Sequence, residues 1–336
     1  MRIPYRNKLL IKKILRILGI TLVASALFLL VVVIYADSKV VYDRSGAHLS
    51  NEIPSTAVSP DAATPSENIT PPEIIYVEKT EEDPTLTQMG GYFITTSMLQ
   101  SPDKVLQQLK TIKEPCAVLI ELKSIFGNFY YSTSIGDAKT ATVDIDTIDQ
   151  IISYLKANGF YMIASVSAFS DSNFALANQS CGLPLKNGAL WMDENGCYWL
   201  DPASDTVLSY LTQIVRELGT LGFREVCFSD FRFPESNNIH YESDQTSIEL
   251  IQQSAQQLTN FFKGSNITIS YCVNDTNFPA QACNGRLYIE DVDGSKIERF
   301  TQVYASAQNL TELVFLANSR DTRFDELAVL RPLLSQ

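Results

Sequence analysis

Residues 225–236 read EVCFSDFRFPES. Val226 and Phe228 alternate as a buried strand does. Asp230 and Arg232 continue the same face, and Phe233-Pro234 ends the run. A strand that finishes its interior face on a carboxylate and a guanidinium needs a reason, because a buried charge is costly unless it is paired or used. Parallel (β/α) barrels supply one: their strand ends carry the chemistry.

The rest of the chain repeats this strand signal. Apolar runs occur at 91–96 (GYFITT), 116–123 (CAVLIELK), 160–169, 224–231, 267–273, 287–292 and 313–318. Helical periodicity fills most gaps: Ser101-Pro102 reads as N-cap and N1 before Val105, Leu106 and Leu109. Ile148, Ile151, Ile152 and Leu155 form one stripe, and Val207, Leu208, Leu211, Ile214, Val215 and Leu218 another, closed by a Gly-containing turn. Strand–helix units over about 245 residues predict an α/β fold, a (β/α) TIM-like barrel over 87–336. A doubly wound open sheet is the rival, but no Gly-rich phosphate fingerprint follows the first strand. Seven strands are visible rather than eight, with no helix between the fifth and sixth. The barrel is therefore incomplete, or residues 73–79 (EIIYVEK) close it; residues 321–334 end the chain.

Before the barrel the composition changes twice. Residues 1–16 hold six Lys/Arg and no acid, and 17–36 (ILGITLVASALFLLVVVIYA) hold no charge. This pattern predicts a short cytoplasmic basic segment, one transmembrane anchor at 17–36 and an extracytoplasmic remainder. A cleaved signal peptide is the rival, although its apolar core is usually roughly 7–15 residues and an A-x-A site is missing. Residues 37–86, rich in Ser, Pro, Thr and Ala, read as a flexible linker.

Of the 26 Lys/Arg in 336 residues, the six in 1–16 fall on the cytoplasmic side, leaving 20 against 38 Asp/Glu, a net of −18 outside. Nucleic acid is therefore a poor partner, and the membrane partner is the N-terminal helix alone. Six cysteines lack C-x-x-C spacing and only His48 and His240 occur, so a Cys/His zinc site is not expected, and no metal or organic cofactor is implied. Cys181 and Cys197 share one polar loop, where a disulfide is possible outside the membrane; spacing does not fix it.

Strand-end logic selects Glu121 and Lys123 on strand two, Asp230 and Arg232 on strand four, and Glu290 with Asp291 on strand six. Alternation puts Glu121 and Lys123 on one face, as it does Asp230 and Arg232. The long linker 170–203 holds both tryptophans, Trp191 and Trp199, whose faces suit the apolar faces of sugar rings. The bland readings are a structural Glu121/Lys123 ion pair and tryptophans that pack their own loop.

Residues 90–234 also resemble a family of exported glycoside hydrolases with a TIM-barrel fold, through GYFITT, AVLIELKSIFGNFYYS, WMDENGCYWLDP and GFREVCFSDFRFP, in that order. The resemblance implies a carbohydrate substrate, a polysaccharide or oligosaccharide of the cell wall or the extracellular space. Tyr92 lies in the GYFITT segment and is among the expected substrate contacts. There are departures. Against a family pattern I-D-x-K-D, Glu121 stands at an Asp, Lys123 matches and Ser124 replaces an Asp. Ser165 stands where the family has Arg. The pattern F-D-Y-x-R-F-P aligns its Asp with Ser229, whereas a neighbouring barrel family's F-D-D-Y-x-Y-P aligns its second Asp with Asp230.

Glycosidic cleavage needs one protonated carboxyl group and one carboxylate. The expected catalytic set is Asp230 with Glu121, Glu290 or Asp291; Arg232, Lys123, Trp191, Trp199 and Tyr92 are the expected substrate contacts. The alternative is a barrel that has lost catalysis and serves as a glycan-binding or envelope-assembly module.

Overall fold

The structure is a computed structural model that describes residues 40–43, 46–49, 89–136, 143–283, 285–290, 294–304, 312–318 and 321–334. The predicted anchor at 17–36, the strand candidate at 73–79 and Asp291 lie outside the described residues. Among the described residues no helix is long and apolar enough to cross a membrane. Two compact units divide the chain, Met1–Val58 and Ser59–Gln336. Of the first, an antiparallel strand pair is described, Val40–Asp43 against Gly46–Leu49. It falls within the stretch read as linker, whose Ser/Pro-rich composition does not announce it.

The second unit is a closed barrel of eight parallel strands. The strands are β1 (Gly90–Ile94), β2 (Ala117–Lys123), β3 (Tyr161–Ser167), β4 (Glu225–Ser229), β5 (Thr268–Val273), β6 (Arg286–Ile289), β7 (Glu312–Leu316) and β8 (Ala328–Pro332). Consecutive strands pair, and β8 closes the ring between β7 and β1. The barrel is thus complete, and the closing strand comes from the chain's last residues. Periodicity missed AVLRP because it is five residues long, carries Arg331 and ends on a proline. Among the described residues between β5 and β6 there is a 3-10 turn, Ala280–Ala282, and no α-helix, in line with the sequence pattern.

The connecting helices are α1 (Thr96–Leu99), α2 (Pro102–Leu109), α3 (Ile145–Ala157), α4 (Ser172–Ala177), α5 (Asp205–Leu221), α6 (Ser247–Phe261) and α7 (Ile297–Tyr304). Their boundaries follow local chemistry. Asp144 and Ser204 accept backbone N–H bonds as N-caps of α3 and α5, and Thr246 with Glu249 forms a capping box on α6. Ser101 occupies the N-cap of α2 without a side-chain cap bond, leaving Pro102 as the start signal. Gly222 ends α5 at φ +106°, a conformation that favours glycine. The predicted α5 stripe is buried at Val207, Leu211, Ile214, Val215 and Leu218. Each such side chain contributes roughly 1.5–3 kcal/mol relative to exposure.

Register settles which side chains enter the barrel. Ser165, Cys227 and Ser270 are in-register partners, and Ser270 bonds Glu225 inside. At the N-terminal ends of the strands the interior is filled by an ionic cluster. Glu225 accepts from Ser270 Oγ (2.5 Å), Tyr288 OH (3.0 Å), Arg286 Nη1 (2.8 Å) and Tyr161 OH (2.9 Å), and Arg286 Nε donates to Glu312 (3.2 Å). Burial alone would push the Arg286 guanidinium down, but the Glu225 carboxylate beside it holds it above its ordinary value. The lower barrel is closed by satisfied polar groups, which leaves the opposite mouth for a ligand.

Candidate functional site

A cleft of about 1060 Å³ opens at the C-terminal ends of the strands. Its walls are the segment leaving β4 (230–236), the segment leaving β5 (272–279), Glu290 just past β6, the loop around Trp191 and Trp199, and the first turns of α6. A parallel barrel gathers its βα loops at that end, so residues far apart in sequence meet there.

Asp230 lines the cleft, but not as the strand alternation predicts. β4 stops at Ser229, and Asp230 takes φ +51°, the one non-glycine residue with positive φ among the described residues. Asp and Asn tolerate this left-handed region better than most residues, at some cost in strain. The turn breaks the alternation and brings Oδ2 to 3.0 Å from Ser167 Oγ, on the inner face of β3. Arg232 consequently does not continue an interior strand face. It is exposed on the cleft wall, with its guanidinium 4.9 Å from the ring centre of Trp199.

Glu290 also lines the cleft, half-buried, and its N–H donates to the Val273 carbonyl (2.8 Å), which carries the β5–β6 ladder one residue further. Of the expected carboxylates, Asp230 and Glu290 are brought together in one cavity. Glu121 is not on its wall. Its carboxylate points into the barrel, where it accepts from Thr96 N (2.5 Å) and Thr96 Oγ1 (2.9 Å), so it holds the start of α1.

Lys123 is not a cleft residue either. A register shift between Glu121 and Lys123 pairs the lysine with Val166 of the outer face, so the two do not share a face. Lys123 lies in a fully buried ion pair with Asp171 (2.8 Å) and donates to the Ser167 carbonyl (2.6 Å). Asp171 also accepts from Tyr210 OH of α5 (2.8 Å) and from Phe174 N as the cap of α4 (2.8 Å). The loop after β2 crosses this carboxylate at Gly127 (φ +84°), where a Cβ would collide with it. Tyr92 pairs in register with Val118 and Arg331 on the outward face of β1 and does not reach the cleft.

The tryptophans line the cleft but offer little open surface, 8% for Trp191 and 2% for Trp199. Trp199 is held by its Nε1, which donates to Asp193 Oδ2 (2.9 Å), and Arg232 covers one of its faces. The expected bare stacking platform is therefore an Arg–Trp sandwich. Asp193 is a cleft residue that the sequence reading does not single out. It opens the turn Asp193–Gly196 and accepts from the N–H groups of Asn195 and Cys197. The D-E-N-G tetrapeptide, with Gly196 at φ +77°, was the available signal. Cys181 and Cys197 are both buried free thiols, so the disulfide left open by their spacing is not formed. Burial, with Asp193 nearby, pushes the Cys197 thiol up to about 12.

Several solved structures superpose on this chain. An α-galactosidase from Lactobacillus brevis superposes with a TM-score of 0.50 at 13% identity, covering 75% of this chain and 38% of that one. A noncanonic maltogenic α-amylase, AmyB from Thermotoga neapolitana, gives 0.50 at 11% identity, covering 75% and 70%. A hypothetical protein from Ruminiclostridium thermocellum gives 0.46 at 19% identity, covering 54% and 96%. At such identities the likeness to the α-galactosidase and the α-amylase concerns the fold alone. Comparison with curated protein sequences returned no significant match. The family described as "putative glycosyl hydrolase domain" matches residues 91–274, more than half of the chain and the part that runs from β1 through β5 and supplies most of the cleft, and the chain belongs to that family.

Proposed function

We propose that this protein is a glycoside hydrolase that cleaves a cell-wall or extracellular polysaccharide, with Asp230 and Glu290 as the reacting carboxyl groups. The observation that carries the reading is that these two side chains, from the ends of β4 and β6, line one cleft with room for several sugar rings. Hydrolysis needs a proton for the leaving oxygen and a carboxylate that attacks the anomeric carbon or deprotonates water. Arg232, on Trp199, supplies a flat cationic surface for hydroxyl groups on the same wall. The basic segment 1–16 and apolar stretch 17–36 support a single membrane anchor with the barrel outside the cytoplasm. Carbonate extraction of membranes, with protease added from outside, tests that placement.

One observation favours the second reading, a barrel that binds glycan without cleaving it. Ser229, 2% exposed, stands at the end of β4 where the family pattern F-D-Y-x-R-F-P places an Asp. Asp230→Asn separates the two. The enzyme loses release of reducing ends by about 10²–10⁴-fold while still sedimenting with insoluble glycan and melting near wild type. A binding module releases nothing in either form.

A further inference from the structure

A second cavity, of about 360 Å³, lies beside the cleft. Phe233, Ser236, Thr246 and Ser247 line both, so the two are neighbours across the segment leaving β4 and the start of α6. Its volume falls within the roughly 300–1,000 Å³ of small-ligand sites. The two cavities differ in charge. The cleft wall carries Asp193, Asp230, Asp275, Glu290 and Arg232 among others, whereas every residue lining the second cavity is uncharged. Its acidic neighbours in sequence, Glu242 and Asp244, are exposed and do not line it.

The loop that walls this cavity is fastened at several points. Ile239 forms a bridge with Leu185, His240 N donates to the Pro184 carbonyl (2.8 Å), and Tyr241 OH donates to Asp201 Oδ1 (2.8 Å), all on the long linker 170–203. At its other end Thr246 is fixed by the capping box with Glu249. Tyr241 meets Phe233 edge to face, with ring centres 5.3 Å apart. Both rings are half-buried and line the cavity, and Ser243 and Gln245 add a hydroxyl and an amide to its wall. Aromatic surface beside neutral hydrogen-bonding groups suits an uncharged sugar ring, whose C–H face covers aromatic carbon while its hydroxyls find partners.

We propose that this cavity is a distal subsite, which binds an uncharged sugar residue of the same polysaccharide chain whose scissile bond lies in the cleft. The inference rests on the glycoside hydrolase reading above and adds to it a dependence on chain length. An oligosaccharide too short to cross the rim at Phe233 and Ser236 gains nothing from the second cavity. A longer one crosses it and adds the contacts with Tyr241. Because the loop is already fastened, little ordering cost offsets those contacts. Binding energy gained away from the reacting bond and kept in the transition state raises kcat/KM.

Chain-length dependence tests the subsite on the full chain. The probes are oligosaccharides of graded length, made by partial acid hydrolysis of chitin, cellulose, starch and peptidoglycan glycan strands. For each length, kcat/KM is measured, and affinity is measured by calorimetry. Wild type should gain at least about tenfold in kcat/KM between the short and the long members of the series that it cleaves. Ser243→Trp, which fills the cavity from an exposed position, should bring that ratio to within about twofold of unity while melting near wild type. Tyr241→Ala, which removes the ring, should do the same; if loss of its bond to Asp201 unfolds the loop, Ser243→Trp carries the test. Cleavage by wild type with no length gain, or a gain that Ser243→Trp leaves intact, overturns the subsite and leaves the hydrolase reading standing. If wild type cleaves nothing but binds long members more tightly than short ones, and Ser243→Trp abolishes the difference, the hydrolase reading fails and the subsite stands. Absence of binding to every series overturns the subsite.

Discussion

Glu225→Gln is the sharpest test of how the barrel is held together. Glu225 is fully buried and accepts from four donors, two on each oxygen. The substitution keeps the volume and removes the charge. Whichever oxygen becomes the amide nitrogen, it faces two groups that also donate. On the Oε2 side these are Arg286 and Tyr161, and Arg286 keeps Glu312, whose side chain is 17% exposed, as its carboxylate partner, with a long bond to the Tyr161 hydroxyl (3.4 Å). Breaking a buried pair by removing one partner costs about 3–5 kcal/mol. With roughly 2–4 °C per kcal/mol for a domain of this size, Tm should fall by about 6–20 °C. The assay is thermal unfolding followed by circular dichroism. The double variant Glu225→Leu, Arg286→Met should recover much of the loss, because apolar side chains of similar volume replace a buried pair at little cost. A Glu225→Gln Tm within about 2 °C of wild type, or a double variant no better than the single, refutes this reasoning.

Three other outcomes follow from the geometry. Lys123→Met should destabilise by about 3–5 kcal/mol by stranding Asp171, yet leave the affinity of the folded fraction for glycan unchanged, measured by denaturant melts and glycan sedimentation. Burial raises the phenols of Tyr131, Tyr161, Tyr210 and Tyr288, so the stability they contribute is complete below the unfolded tyrosine value and fades above about pH 10. Tm should therefore drop between pH 9 and 11, and a flat profile would contradict this. Glu217 is partly desolvated, but bonds from Ser134, Thr133 and Tyr131 outweigh that and hold its carboxyl below its ordinary value. Its support is present above the unfolded glutamate value and lost as pH falls. Exchange of the Ser134 amide should therefore quicken in acid, and at neutral pH in Glu217→Ala.

Much of the barrel was written in local patterns. Stripes such as Ile148–Leu155 and runs such as AVLIELK are set by which face must be buried, and both ended where expected to within two residues. The departures came where a backbone irregularity overrode alternation. The bulge between Glu121 and Lys123 carries no glycine or proline to mark it, yet it sends one side chain inward and the other outward. The left-handed turn at Asp230 likewise cut short the face on which Arg232 was expected. Strand-end logic did place Asp230 and Glu290 at the mouth they line, because barrel closure gathers all such ends there. Ser167 and Asp171 went unread: their partners lie 63 and 48 positions away, and nothing local distinguishes a serine that anchors a carboxylate from one that caps a turn.

The central claim is that the cleft breaks glycosidic bonds with the carboxyl groups it contains. The direct measurement is release of new reducing ends from peptidoglycan and a panel of bacterial and plant polysaccharides by the full chain, beside Glu290→Gln. The account predicts release by wild type from at least one of these, reduced at least about 10²-fold in Glu290→Gln at unchanged Tm. Equal release by both proteins, or binding without release by wild type, would contradict it.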